Sequence, residues 1–222
     1  MVEERKNLLF FLGFVLISFL FHIFDNLFLF KYSFKIIEVF FHEFSHFLTA
    51  LLSDGSIKEF HLRLGSGHVI YESRSTLSII VTSLSGYIGA SIFGFLIFFA
   101  SLRYYKIILP IISLFPLSVS FFSSDFISFF SLLFLSGFFA IIGFFSYYSF
   151  VKYLLQFIGI FIMVSAIYSP TYLWYYNESG DHVLLANNTF IPSFIFIVIW
   201  FIISVGLLYY SFKILMKKYE KK

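Results

Sequence analysis

The sequence predicts an all-α integral membrane protein, a polytopic bundle of six or seven transmembrane helices with one small β-hairpin. Three observations lead there. Of 222 residues, 60% are hydrophobic and 12% charged, whereas about one-quarter of a soluble domain is charged. The apolar residues fall in runs close to the roughly 20 that cross the hydrocarbon of a bilayer. The basic residues gather between those runs and in the C-terminal tail.

The first apolar run, 8–28, follows Glu3, Glu4, Arg5 and Lys6. It has no small-residue cleavage pattern and is longer than the core of a secretory signal, so it reads as a membrane helix. Further spans are expected at 34–52, 77–102, 107–122, 126–150, 154–168 and 190–210. The fourth and sixth are short, as tilted helices or half-spans packed on protein would be, which leaves the count open by one. Residues 56–75 change character: Ile57, Phe60, Leu62 and Leu64 precede Gly65-Ser66-Gly67, and Val69 and Tyr71 follow. Alternation about a Gly-rich turn predicts a β-hairpin. A lone hairpin is marginal in water and its edges are unsatisfied in lipid, so it leans on the helices or lines a wet cavity. Its edge strand offers a place for an extended peptide; a surface hairpin without a partner is the plainer reading. The chain reads as one domain over 1–222, with the hairpin at 56–75 and a polar connection at 169–189.

Composition also excludes. With no cysteine, disulfides and thiolate metal sites are impossible, and any metal must be held by His, Asp or Glu, which suits a catalytic zinc better than a structural one. The net charge of +3 is small and sits at helix ends and in the tail, so no nucleic-acid surface is expected. Lys31 and Lys35, Arg103 and Lys106, Lys152, and Lys213, Lys217, Lys218, Lys221 and Lys222 fall on alternate connections of a seven-span chain. The positive-inside rule puts them, and the C-terminal tail, in the cytoplasm. Lys58, Arg63 and Arg74 break the pattern, as expected of a hairpin that dips into the protein.

Chemistry concentrates in His42-Glu43-Phe44-Ser45-His46, inside the second span. Short matches to H-E-x-x-H are common by chance in soluble sequences. At membrane depth such groups cost several kcal/mol, on the order of magnitude known for buried ionisable residues, unless they bind something or line water. On a helix, positions four apart lie about 40° apart, so His42 and His46 can present two imidazoles to one metal ion. Glu43 beside them is placed to take a proton from water, the arrangement of zinc peptidases. Glu38, one turn earlier, either accepts from the other ring nitrogen of His42 or pairs with Lys35. A catalytic zinc site needs a third protein ligand. Asp54 belongs to the turn Ser53-Asp54-Gly55, and His22 and Asp25 stand on the first helix without a partner motif. Asp181, ahead of the short apolar piece Val183-Leu184-Leu185-Ala186, is the leading candidate; its alternative role is an N-cap. Asp125 and His182 are the reserves. Gly86, Ala90 and Gly94, at four-residue intervals, predict a close helix-packing seam.

On these residues the chain resembles the site-2-protease family of intramembrane zinc metallopeptidases, and its short bacterial and archaeal members most closely. The resemblance covers most of the chain. It implies His42 and His46 as zinc ligands and Glu43 as catalytic base. It makes the hairpin part of a membrane-associated sheet near the substrate, and Ser85-Gly86-Tyr87-Ile88-Gly89 resembles the small-residue stretch of the short members. The family's third ligand is an Asp in an Asp-Gly context near an Asn-Pro; neither exists downstream here, and Asp181 matches by its late position alone. The expectation is therefore a zinc (Zn2+) metallopeptidase of a prokaryotic cell membrane acting on a membrane-protein substrate within the lipid bilayer. The rivals are a non-catalytic multi-pass protein, such as an assembly factor or small transporter, with a polar or metal-binding helix face, and a carrier that binds zinc transiently.

Overall fold

A computed structural model of the chain describes residues 2–24, 28–175 and 178–220. In chain order the elements are α1 (Val2–Ile23), α2 (Phe28–Leu52), β1 (Ser56–Arg63), β2 (Ser66–Glu72), α3 (Thr76–Ser101), α4 (Tyr105–Ser120), α5 (Phe126–Phe144), α6 (Phe150–Tyr168), a 3-10 turn (Ser169–Trp174), α7 (Asp181–Thr189) and α8 (Ser193–Glu220). Among the described residues five helices are long and apolar enough to cross a membrane: α1, α3, α5, α6 with its 3-10 continuation, and α8. The expected short fourth span is a 16-residue apolar helix, α4, with Pro110 and Pro116 inside it, each removing a backbone donor. The sixth is longer than its apolar run suggested, because the chain stays helical from Phe150 to Trp174. α2 stands apart by composition, carrying Lys31, Lys35, Glu38 and Glu43; its 25 residues still extend about 37 Å.

The helices are arranged around α6, in which every residue from Leu155 to Ile167 is buried. A helix apolar on all sides belongs in the interior of a bundle. α1, α5 and α8 instead turn large apolar residues outward, among them Leu16, Phe134 and Ile202, as lipid-facing helices do. α3 crosses α6 at glycine: a Cβ on Gly94 would lie 2.8 Å from the Gly159 carbonyl oxygen, and one on Gly159 would lie 2.6 Å from that of Gly94. Short polar clamps join further helices. His22 donates from Nδ1 to the Ser18 carbonyl (2.7 Å) and meets Ser165 Oγ of α6 at 3.0 Å, while Ser91 of α3 meets Ser204 of α8. Asp25 lies outside the described residues.

The hairpin forms where alternation predicted it, with its turn one step earlier. Leu64 and Gly65 (φ +87°) make the turn, so Ser66 and Gly67 belong to β2. Phe60 pairs with Val69 and Leu62 with Gly67, and the register slips by one residue between Ile57 and Glu59. Phe60 and Leu62 are fully buried and pack with Phe40 and Phe47 of α2. The outer edge of β1 is covered, since Phe60 N donates to Phe122 O (2.9 Å) and Leu62 N to Ser128 Oγ (3.1 Å). β2 has no strand on its other side among the described residues.

Candidate metal centre

Within α2 the four-residue spacing brings His42 and His46 together, with Nε2 atoms 3.1 Å apart. Asp181, the first residue of α7, closes the triangle: its Oδ2 lies 3.3 Å from His42 Nε2 and 3.2 Å from His46 Nε2. Gly180 precedes it at φ +113°, a conformation that glycine adopts without steric cost. Asp181 is not the N-cap; that position is Gly180 and lacks a side-chain cap, so the carboxylate is turned to the histidines. The reserves lie elsewhere. His182 is fully buried outside the cluster. Asp125 caps α5, accepting from Ser128 N (2.9 Å) and Ser128 Oγ (2.6 Å), and bonds His61 Nδ1 (2.7 Å). Those Ser128 bonds hold its carboxyl below the usual carboxylate range.

The surroundings fix the imidazoles. His46 Nδ1 lies 2.7 Å from the Thr82 carbonyl, which can only accept, so Nδ1 carries the proton and the Nε2 lone pair faces the cluster. His42 packs edge-on against Tyr87, ring centroids 4.4 Å apart, and Tyr87 in turn rests on Trp200. Gly86 forms the wall behind both rings: a Cβ there would sit 2.5 Å from His42 Cε1 and 2.6 Å from both Nε2 atoms. The small-residue seam read from the sequence thus has two functions, Gly94 against α6 and Gly86 against the histidines. Glu38 forms the ion pair, 2.6 Å from Lys35 Nζ.

Glu43 is buried beside the cluster and touches the hairpin, where a Cβ on Gly67 would lie 2.7 Å from its Cγ. A cavity of about 360 Å³ holds His42, Glu43, His46 and Asp181 together with Gly67, Val69, Tyr71, Tyr172 and neighbours. A second, of about 340 Å³, shares His42, Glu43, Gly67, Tyr87 and Tyr172 and continues past Lys35 and Glu38. Together they make one trough along β2. Sequence reasoning missed Gly86 and Thr82 as parts of this site. Gly86 was visible only as a small residue, and Thr82 acts through its backbone, which no side-chain pattern reports.

The donor set fits zinc. Three nitrogen or oxygen atoms about 2.0–2.1 Å from a tetrahedral ion lie about 3.3–3.4 Å from one another, close to the observed 3.1, 3.2 and 3.3 Å. The gathering of a lone pair and a carboxylate oxygen in one buried corner is favourable only with a cation or proton between them. His42, His46 and Asp181 are the described residues that could hold a metal ion in this way.

Comparison with characterised proteins and with solved structures gave no match. A family model described as Peptidase M50B-like matches residues 11–211, which takes in the histidine pair, the hairpin, Asp181 and all but the ends of the bundle. The chain therefore belongs to the Peptidase M50B-like family, the site-2-protease family of membrane metallopeptidases.

Proposed function

We propose that this protein is a zinc-dependent endopeptidase that hydrolyses peptide bonds of membrane-embedded protein segments. The observation that carries the reading is the triangle of His42, His46 and Asp181 in a trough lined by β2, which pairs with no second strand among the described residues. Zinc held by these three residues supplies a Lewis acid for the scissile carbonyl and makes a neighbouring water acidic. Glu43, buried within the same cavity, takes the proton of the attacking water and returns it to the leaving amine. The Thr82 carbonyl keeps His46 in the tautomer that binds metal, and Tyr87 keeps the His42 ring from turning. An extended substrate strand adds to β2, whose backbone groups supply hydrogen bonds that a helical segment makes internally. The substrate must therefore unwind locally. The Lys-rich C-terminal end faces the cytoplasm of a prokaryotic cell on the positive-inside rule.

Glu43→Gln tests the mechanism. The variant keeps the shape and the metal ligands while removing the base, and its cleavage of a transmembrane reporter is expected to fall about 10²–10⁴-fold with zinc content unchanged. Full activity would contradict the mechanism and favour a metal-binding membrane protein without this chemistry.

A further inference from the structure

The trough does not end at His42, His46 and Asp181. Its continuation is built around Lys35 and Glu38, whose side chains are only 19% and 3% exposed. Lys35 Nζ contacts Glu38 Oε2 at 2.6 Å and donates to Ser169 Oγ, at the end of α6, at 2.8 Å. Gly65, Ser66 and Gly67 of the hairpin close the opposite wall. A surface ion pair would need none of this enclosure, and an exposed pair contributes little to stability.

Lys35, Glu38 and His42 lie on one face of α2, because offsets of four and seven residues return to within about 40° and 20° of the start. Glu38 is about 6 Å and Lys35 about 10.5 Å along the helix axis from His42. An extended chain advances about 3.3 Å per residue. A peptide lying along β2 with its scissile bond at the cluster therefore brings a side chain into this pocket two or three residues away.

The chemistry of the pocket selects the guest. The ammonium has three N–H donors, two of which meet Glu38 and Ser169, and the carboxylate has lone pairs beyond its one short contact. The pair has no net charge, so a charged guest would add an unpaired charge inside the protein at a cost of several kcal/mol, roughly. An apolar guest would cover these groups without bonding them, which penalises it. An amide both donates and accepts.

Resting on the peptidase reading above, we propose that Lys35, Glu38 and Ser169 form a polar specificity subsite that takes a neutral amide side chain, Asn or Gln, two or three residues from the cleaved bond. Such a residue also weakens the substrate helix, which the cleavage requires.

The test uses the full-length protein in proteoliposomes with zinc and a transmembrane reporter whose cleaved bond is mapped by mass spectrometry. Each of the three residues on either side of that bond is made Leu or Asn in turn, and kcat/KM is measured. The expected result is a preference for Asn of about tenfold, the size of one hydrogen bond to a charged group, at one position two or three residues from the bond. In the double variant Lys35→Met, Glu38→Leu the ratio falls to about one, with zinc content showing that the metal centre survives. Ser169→Ala, which keeps the ion pair, lowers the ratio part-way and covers the case in which the double variant misfolds. No Asn preference at any position, or the same preference in Ser169→Ala and the double variant, overturns the subsite while leaving the peptidase reading intact. Absence of zinc-dependent cleavage for every reporter overturns the peptidase reading, and the subsite with it.

Discussion

Gly86 is the residue on which the histidine pair depends most closely. No backbone strain requires glycine there; the requirement is the space that the two imidazoles occupy 2.5–2.6 Å from where a Cβ would stand. Gly86→Ala should therefore lose most of its bound zinc while keeping its helical circular dichroism, because one methyl group displaces the donors without breaking α3. Retention of stoichiometric zinc in this variant would show that the rings can shift at little cost. Much of the site was legible at this scale. H-E-x-x-H reported two imidazoles and a neighbouring carboxylate in one place because helical spacing alone brings them together, and Lys35 with Glu38 followed from the i, i+3 rule. Asp181 was chosen among the acids by its late position and the short apolar piece after it, while its approach to the histidines through α6 and Gly180 rests on contacts that no local pattern encodes.

Among the elements, the hairpin does most to shape the site, since β2 borders the trough while β1 fastens the pair to the α4–α5 junction. The fastening is partly electrostatic. Ser124 Oγ donates to Glu59 Oε2 (2.6 Å), and His61 bonds both Glu59 and Asp125 at 2.7 Å. The hydroxyl of Ser124, then His61, lowers the Glu59 pKa from its ordinary 4.5, and Ser128 lowers that of Asp125 from 3.8. A carboxylate depressed by folding contributes stability that is complete above its ordinary pKa and is lost as pH falls through the folded value. The carboxylates' share of this docking should thus be complete above about pH 5 and weaken in stronger acid. Hydrogen exchange corrected for intrinsic rates would show it: the Phe60 and Leu62 amides lose protection at pH 3 relative to the α6 interior. Equal protection of both regions at pH 3 and pH 6 would contradict the electrostatic fastening. Alternation revealed the hairpin, yet its turn lay one residue earlier than the glycine cluster suggested, because Gly67 is needed inside β2 against Glu43.

At the scale of the whole molecule, the bundle brings distant segments of one chain to a single point. α2 supplies two donors, α3 supplies the carbonyl and the glycine wall, and α7 supplies the carboxylate only after α6 has crossed the core. Hydropathy made the bundle legible, since lipid selects apolar runs whatever their packing. It misjudged lengths where polarity and span diverge: α2 carries Lys31, Lys35, Glu38 and Glu43 and so is too polar for an apolar span, and α6 is longer than its apolar run. The central claim is that His42, His46 and Asp181 together hold one zinc ion. Metal analysis of the purified protein tests it most directly, with wild type beside His46→Ala and Asp181→Ala. About one zinc per chain is expected in the wild type, the stoichiometry of a three-ligand site, and little in either variant. Zinc retained in Asp181→Ala at the wild-type level, or absent from the wild type, would contradict it.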